Sequence, residues 1–114
     1  RMEENKAEDV RVVDADTFDL LVDVGFSITL KERFRLNGVD APETWRPKTK
    51  AEKEHGKEAT AAVLELLDGV KKVKVKTYKG DKYGRWLCDI MVGDISIAGM
   101  LMAKGLTKRD HYED

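Results

Sequence analysis

An arginine and two carboxylates fall close together in Arg33-Phe34-Arg35-Leu36-Asn37-Gly38-Val39-Asp40-Ala41-Pro42-Glu43. Arg35 belongs to an alternating stretch, with Phe34 and Leu36 on one face and Arg33 and Arg35 on the other. Asn37-Gly38 favours a turn, and Pro42 fixes its own φ and pushes Ala41 out of the helical region. Asp40 and Glu43 therefore sit on a stiff bend. Such a bend stabilises a core poorly, but it suits holding a hard cation beside a phosphate.

A third acid, Asp16, lies where a first strand gives way to a second. If those strands neighbour the one ending at Leu36, Asp16, Asp40 and Glu43 meet at one end of the sheet. Three carboxylates repel one another unless a cation neutralises them. An all-oxygen set implies calcium or magnesium, and the lack of a Cys/His cluster argues against zinc. Arg35 and Arg85 offer two permanently charged planar forks. Beside a divalent cation these match a phosphodiester passing through a more negative, five-coordinate state. The remaining acid can take a proton from attacking water.

These residues must be positioned by short elements. Residues 1–8 read as a flexible acidic tail, and 10–13 as a first strand. Phe18, Leu20, Val22 and Val24 alternate along a second strand that turns at Gly25. Residues 28–36 form a third strand, apolar at even positions except Glu32. Thr49 and Glu52 make a capping box for a helix over residues 49–67, whose stripe includes His55, Ala59, Val63 and Leu66. Gly56 within it is a mild local cost, roughly 1 kcal/mol against Ala. Val73 and Val75 alternate with Lys72, Lys74 and Lys76 in a fourth strand. Trp86, Cys88, Ile90 and Val92 form one face of a fifth, with Trp86 expected in the core. A short helix follows at about 97–104, capped by Ser96. This order predicts a mixed β/α fold: a five-stranded OB-type Greek-key barrel with a helix between strands 3 and 4 and a short C-terminal helix. Closure hides the edges that so short a sheet would expose.

Composition sets the outer bounds. The 114 residues fit one domain, 1–114, and no apolar run approaches the roughly 20 residues of a bilayer span. The formal net charge of −1 gives no general support for a polyanion partner, although bases gather in the second half. Cys88, the single cysteine, excludes an internal disulfide.

Three motifs in order are similar to those of the micrococcal (staphylococcal, thermonuclease-type) nuclease family: Val13-Asp14-Ala15-Asp16-Thr17, then Phe34-Arg35-Leu36 with Val39-Asp40-Ala41-Pro42-Glu43, then Asp81-Lys82-Tyr83-Gly84-Arg85. The resemblance extends from about residue 10 to residue 106. It implies a calcium-dependent, sugar-non-specific endonuclease that cleaves DNA and RNA to leave 3′-phosphate ends. Carried over by motif, Asp16, Asp40 and the Ala41 carbonyl would hold calcium. Glu43 would orient the water, and Arg35 and Arg85 would clamp the scissile phosphate. Lys82 and Tyr83 would contact a neighbouring phosphate, with His111 or Tyr112 offering a surface for a base. The resemblance carries the further expectation of a monomer, exported to the cell envelope or beyond if a leader was removed. The rival reading is a catalytically weak or inactive domain of the same fold that binds nucleic acid or protein.

Overall fold

The computed structural model describes residues 2–80 and 85–113. The chain runs β1 (Met2–Asp14), β2 (Thr17–Asp23), β3 (Thr29–Leu36), α1 (Lys50–Leu67), β4 (Lys72–Tyr78), β5 (Trp86–Val92), β6 (Ile95–Ser96) and α2 (Ile97–Ala103). The sheet order is β3-β2-β1-β4-β5-β6, and parallel pairing of β3 with β5 joins the ends. Strands β1 to β5 thus close a mixed barrel, the expected architecture. Two-residue β6 extends β5 through a turn at Gly93 and Asp94, a strand too short to leave a periodic signal.

The core collects the alternating apolar faces. Phe18, Leu20 and Val22 of β2 meet Phe34 and Leu36 of β3, Val75 of β4, and Cys88 and Ile90 of β5. Ala59 and Val63 of α1 and Ile97 and Leu101 of α2 complete it. Each buried aliphatic side chain contributes about 1.5–3 kcal/mol relative to exposure.

Three features differ from the sequence expectation. Residues 2–8, expected as a flexible tail, continue β1 and pair antiparallel with β4, from Met2↔Tyr78 to Glu8↔Lys72. Apart from Ala7, which is buried, that segment has little apolar alternation to reveal it. A register shift follows between Glu8 and Arg11, with Asp9 at φ 50°. The even positions of β3 are only partly core. β5 reaches β3 at residues 34–36 alone, so Leu30, beyond that contact, is 50% exposed. Trp86, expected in the barrel interior, sits at the rim, 41% exposed and tilted against Phe34 with ring centroids 6.5 Å apart. No helix among the described residues is long and apolar enough to cross a membrane.

Candidate active site

The site grows from the end of β3. Leu36 N–H donates to the Asp16 carbonyl at 2.8 Å and Asn37 N–H to the Cys88 carbonyl at 2.9 Å. These two bonds pin the strand end between the β1–β2 turn and β5. Gly38, at φ 80°, then reverses the chain as the Asn-Gly pair predicts. Arg35 stands opposite Thr17 on β2 and Leu87 on β5, so its guanidinium lies at the junction of all three strands.

Asp16 anchors the returning chain. Its Oδ2 accepts the Ala41 N–H at 2.9 Å, and its Oδ1 accepts the Thr17 hydroxyl at 3.0 Å. Arg35 Nη2 lies 3.7 Å from the same Oδ2 and directly contacts Oδ1 of Asp40. The two acids expected as metal ligands therefore share one guanidinium. Asp14 accepts the Thr44 hydroxyl at 2.6 Å, so it fastens the loop carrying Glu43.

A cleft of about 300 Å³ is lined by Asp14, Asp16, Thr17, Arg35, Asp40, Ala41, Pro42, Glu43, Arg85 and Lys108. It unites every catalytic and metal-binding candidate from the sequence: Arg35, Glu43 and Arg85 with Asp16, Asp40 and Ala41. Lys82 and Tyr83 lie outside the described residues. His111 and Tyr112 do not line the cleft. The Tyr112 hydroxyl sits 2.6 Å from Nδ1 of His55 and accepts the Arg109 N–H at 3.0 Å. His55 Nε2 is 2.8 Å from the Gly105 carbonyl. With a proton on Nε2, His55 donates to the Gly105 carbonyl and accepts from the Tyr112 hydroxyl, a chain that docks the C-terminal segment on α1. His55 is buried, in accord with its reading as packed core.

Two participants escaped the sequence reading. Lys108 lines the cleft, and its N–H donates to the Asp40 carbonyl at 2.8 Å. Glu52, read only as a capping residue, is 2% exposed. Its own N–H donates to Thr49 Oγ1 at 3.0 Å, but its Oε1 accepts the Lys48 N–H, also at 3.0 Å. Its Oε2 makes no well-formed hydrogen bond and faces Lys108 Nζ at 3.4 Å. The Lys48 N–H, with help from the Lys108 charge and the Glu43 N–H, holds the Glu52 carboxyl below the usual range despite its burial. The only advance signal for Lys108 was its place in a polar run shortly after Gly105.

The cleft's donor chemistry suits a hard cation, because its acids and backbone carbonyls are all oxygen donors and neither His nor Cys lines it. Among the described residues, however, no three acidic, His or Cys side chains converge closely enough to hold a metal. One oxygen of Asp40, Oδ1, is engaged by Arg35, and the Asp40 side chain is otherwise largely exposed.

The family model described as staphylococcal nuclease homologue matches residues 33–114. The chain is 39% identical over 75 residues to a probable staphylococcal-like nuclease CAN1 of Oryza sativa subsp. japonica, covering 66% of this chain and 20% of that protein. It is 37% identical over 76 residues to staphylococcal-like nuclease CAN1 of Arabidopsis thaliana, covering 67% and 21%. Against the thermonuclease of Staphylococcus intermedius it is 33% identical over 103 residues, covering 90% and 58%. The matched region thus spans about a fifth of the plant relatives and just over half of the thermonuclease.

Proposed function

Since this chain belongs to the staphylococcal nuclease homologue family, we propose that it is a calcium-dependent endonuclease, hydrolysing phosphodiester bonds of DNA and RNA to leave 3′-phosphate ends. One observation carries the reading: Arg35 contacts Asp40 and approaches Asp16 in the cleft that Glu43 and Arg85 also line.

Asp16, Asp40 and the Ala41 carbonyl would hold calcium, which would supply positive charge to a phosphate growing more negative. The Arg35 and Arg85 guanidiniums bind that phosphate's non-bridging oxygens. Glu43 accepts a proton from a water aligned behind phosphorus. The new P–O bond forms from this water as the bond to the 5′-oxygen breaks. The 5′-oxygen leaves with a proton from solvent, and the phosphate stays on the 3′ side. A phosphate entering the cleft competes with Asp40 for Arg35. Substrate and cation are therefore coupled: each favours opening of the same ion pair.

Plasmid nicking with calcium against chelator tests the activity. Metal-dependent nicking supports it. Retention of nucleic acid without cleavage supports the binding-only reading. Calcium titration with and without a nucleotide bisphosphate tests the coupling: each ligand should tighten the other, and independent binding would refute the shared-arginine account.

A further inference from the structure

We infer that Lys108 is a further cationic contact for the substrate, gripping a phosphate next to the scissile one, and that buried Glu52 positions it for this. The inference rests on the nuclease reading and adds a residue to it.

Three observations converge on this side chain. Its backbone is fixed to the site, because the Lys108 N–H donates to the carbonyl of Asp40. Its ammonium lies 3.4 Å from Oε2 of Glu52, a buried carboxylate that needs a nearby positive charge. Its side chain is nevertheless 38% exposed and lines the cleft with Arg35, Glu43 and Arg85. An ammonium carries three donors, and Glu52 faces only one side of it. The acid holds this lysine in place, and part of its side chain stays exposed at the cleft.

Its neighbours do not compete for the role. Arg109 is drawn away, with its guanidinium 5.7 Å from the centre of the Tyr112 ring. A strand of nucleic acid presents a phosphate at every nucleotide, so a chain whose scissile phosphate lies between two guanidiniums brings a second phosphate to the rim. A compact ammonium serves such a contact without the planar geometry that a reacting phosphate demands.

The test uses a fluorescent single-stranded oligonucleotide with calcium, in a Glu43→Ala background that keeps the strand intact. Lys108→Met should weaken binding about tenfold at low salt and lower the slope of log affinity against log salt by about one. Lys108→Arg should restore the slope. In the cleaving protein, Lys108→Met should raise KM and leave kcat near its starting value. Should the single variant not fold, Glu52→Gln/Lys108→Met removes the buried charge together with its partner and should show the same loss of slope. An unchanged slope and KM in a folded variant, beside a parent that cleaves, overturns the role of Lys108 alone. A parent that neither binds nor cleaves overturns the nuclease reading and this inference with it.

Discussion

The Arg35 guanidinium contacts the Asp40 carboxylate, and the same nitrogen lies 3.7 Å from Asp16. A single cation thus stands between the two acids that sequence reasoning assigns to a metal. Its charge offsets the mutual repulsion of the two carboxylates. On the proposed function, phosphate binding and cation binding would meet at this one side chain.

Removing that side chain should cripple cleavage without unfolding the barrel, because the guanidinium belongs to the cleft and not to the apolar core. Arg35→Ala should lower the cleavage rate by about 10²–10³-fold, the usual loss for a donor aimed at developing charge. Glu43→Ala should cost about 10²–10⁴-fold. Nicking rates read beside circular dichroism melts check both. Near-parental rates in either folded variant would exclude that residue from the proposed role.

Glu52 gives a signed pH dependence. Its carboxyl is held below the usual range, chiefly by the Lys48 N–H. The unfolded chain therefore takes up this proton at a higher pH than the folded one. The stabilisation is fully present above the ordinary glutamate value of about 4.3 and disappears as pH falls through the lower folded value. Melting temperature followed from pH 6 down to pH 3 should decline less steeply for Glu52→Gln than for the parent. Parallel curves would show that Glu52 contributes nothing to the acid transition.

Much of this site is visible in the chain because its chemistry depends on local order. The turn at Gly38, the bend at Pro42 and the alternation around Arg35 set three functional groups by short-range geometry. Thr49 and Glu52 likewise announce the start of α1. What sequence does not reveal is set by distant partners. Nothing near Glu52 says that its carboxylate turns from the capping box toward Lys108, 56 positions along the chain (108 − 52). Residues 2–8 lack the apolar period of a strand, and pairing with β4 supplies the order that their own pattern does not. Trp86 reads as core by alternation, but β3 and β5 pair over too short a length to cover it.

Residues 2–8 are therefore part of the barrel's stability. Their deletion removes the β4 ladder from Met2↔Tyr78 to Glu8↔Lys72 and uncovers an edge whose Val73 and Val75 are buried. A loss of about 2 kcal/mol, or roughly 10 °C in Tm, is expected for the truncated chain. Calorimetry would show it. An unchanged Tm would mean that this pairing is dispensable in solution.

Cys88 should be chemically silent in the folded protein. It is fully buried on β5, and burial, with the charge of Asp89 adding to it, pushes its thiol up to about 12. A disulfide reagent at pH 8 should label it only after denaturant is added, because the thiolate is the reactive form. Rapid labelling under native conditions would show that the β5 region opens readily.

Gly56 provides the sharpest contrast between local and tertiary reasoning. On helix propensity alone, Gly56→Ala gains about 1 kcal/mol. Here a Cβ would stand 2.7 Å from the Pro42 carbonyl oxygen, 2.7 Å from Thr44 Cγ2 and 3.2 Å from the Glu43 carbonyl carbon. Two of those atoms are backbone and cannot rotate aside, so α1 and the loop bearing Glu43 must separate. Overpacking of this kind costs about 1–3 kcal/mol, which cancels or exceeds the propensity gain. The displacement also falls on the residue assigned to activate water. Gly56→Ala should therefore lower the cleavage rate more than tenfold while the melting temperature stays level or drops. Parallel melts and nicking assays decide the point: a variant both more stable and fully active would show that the helix and loop separate without disturbing Glu43.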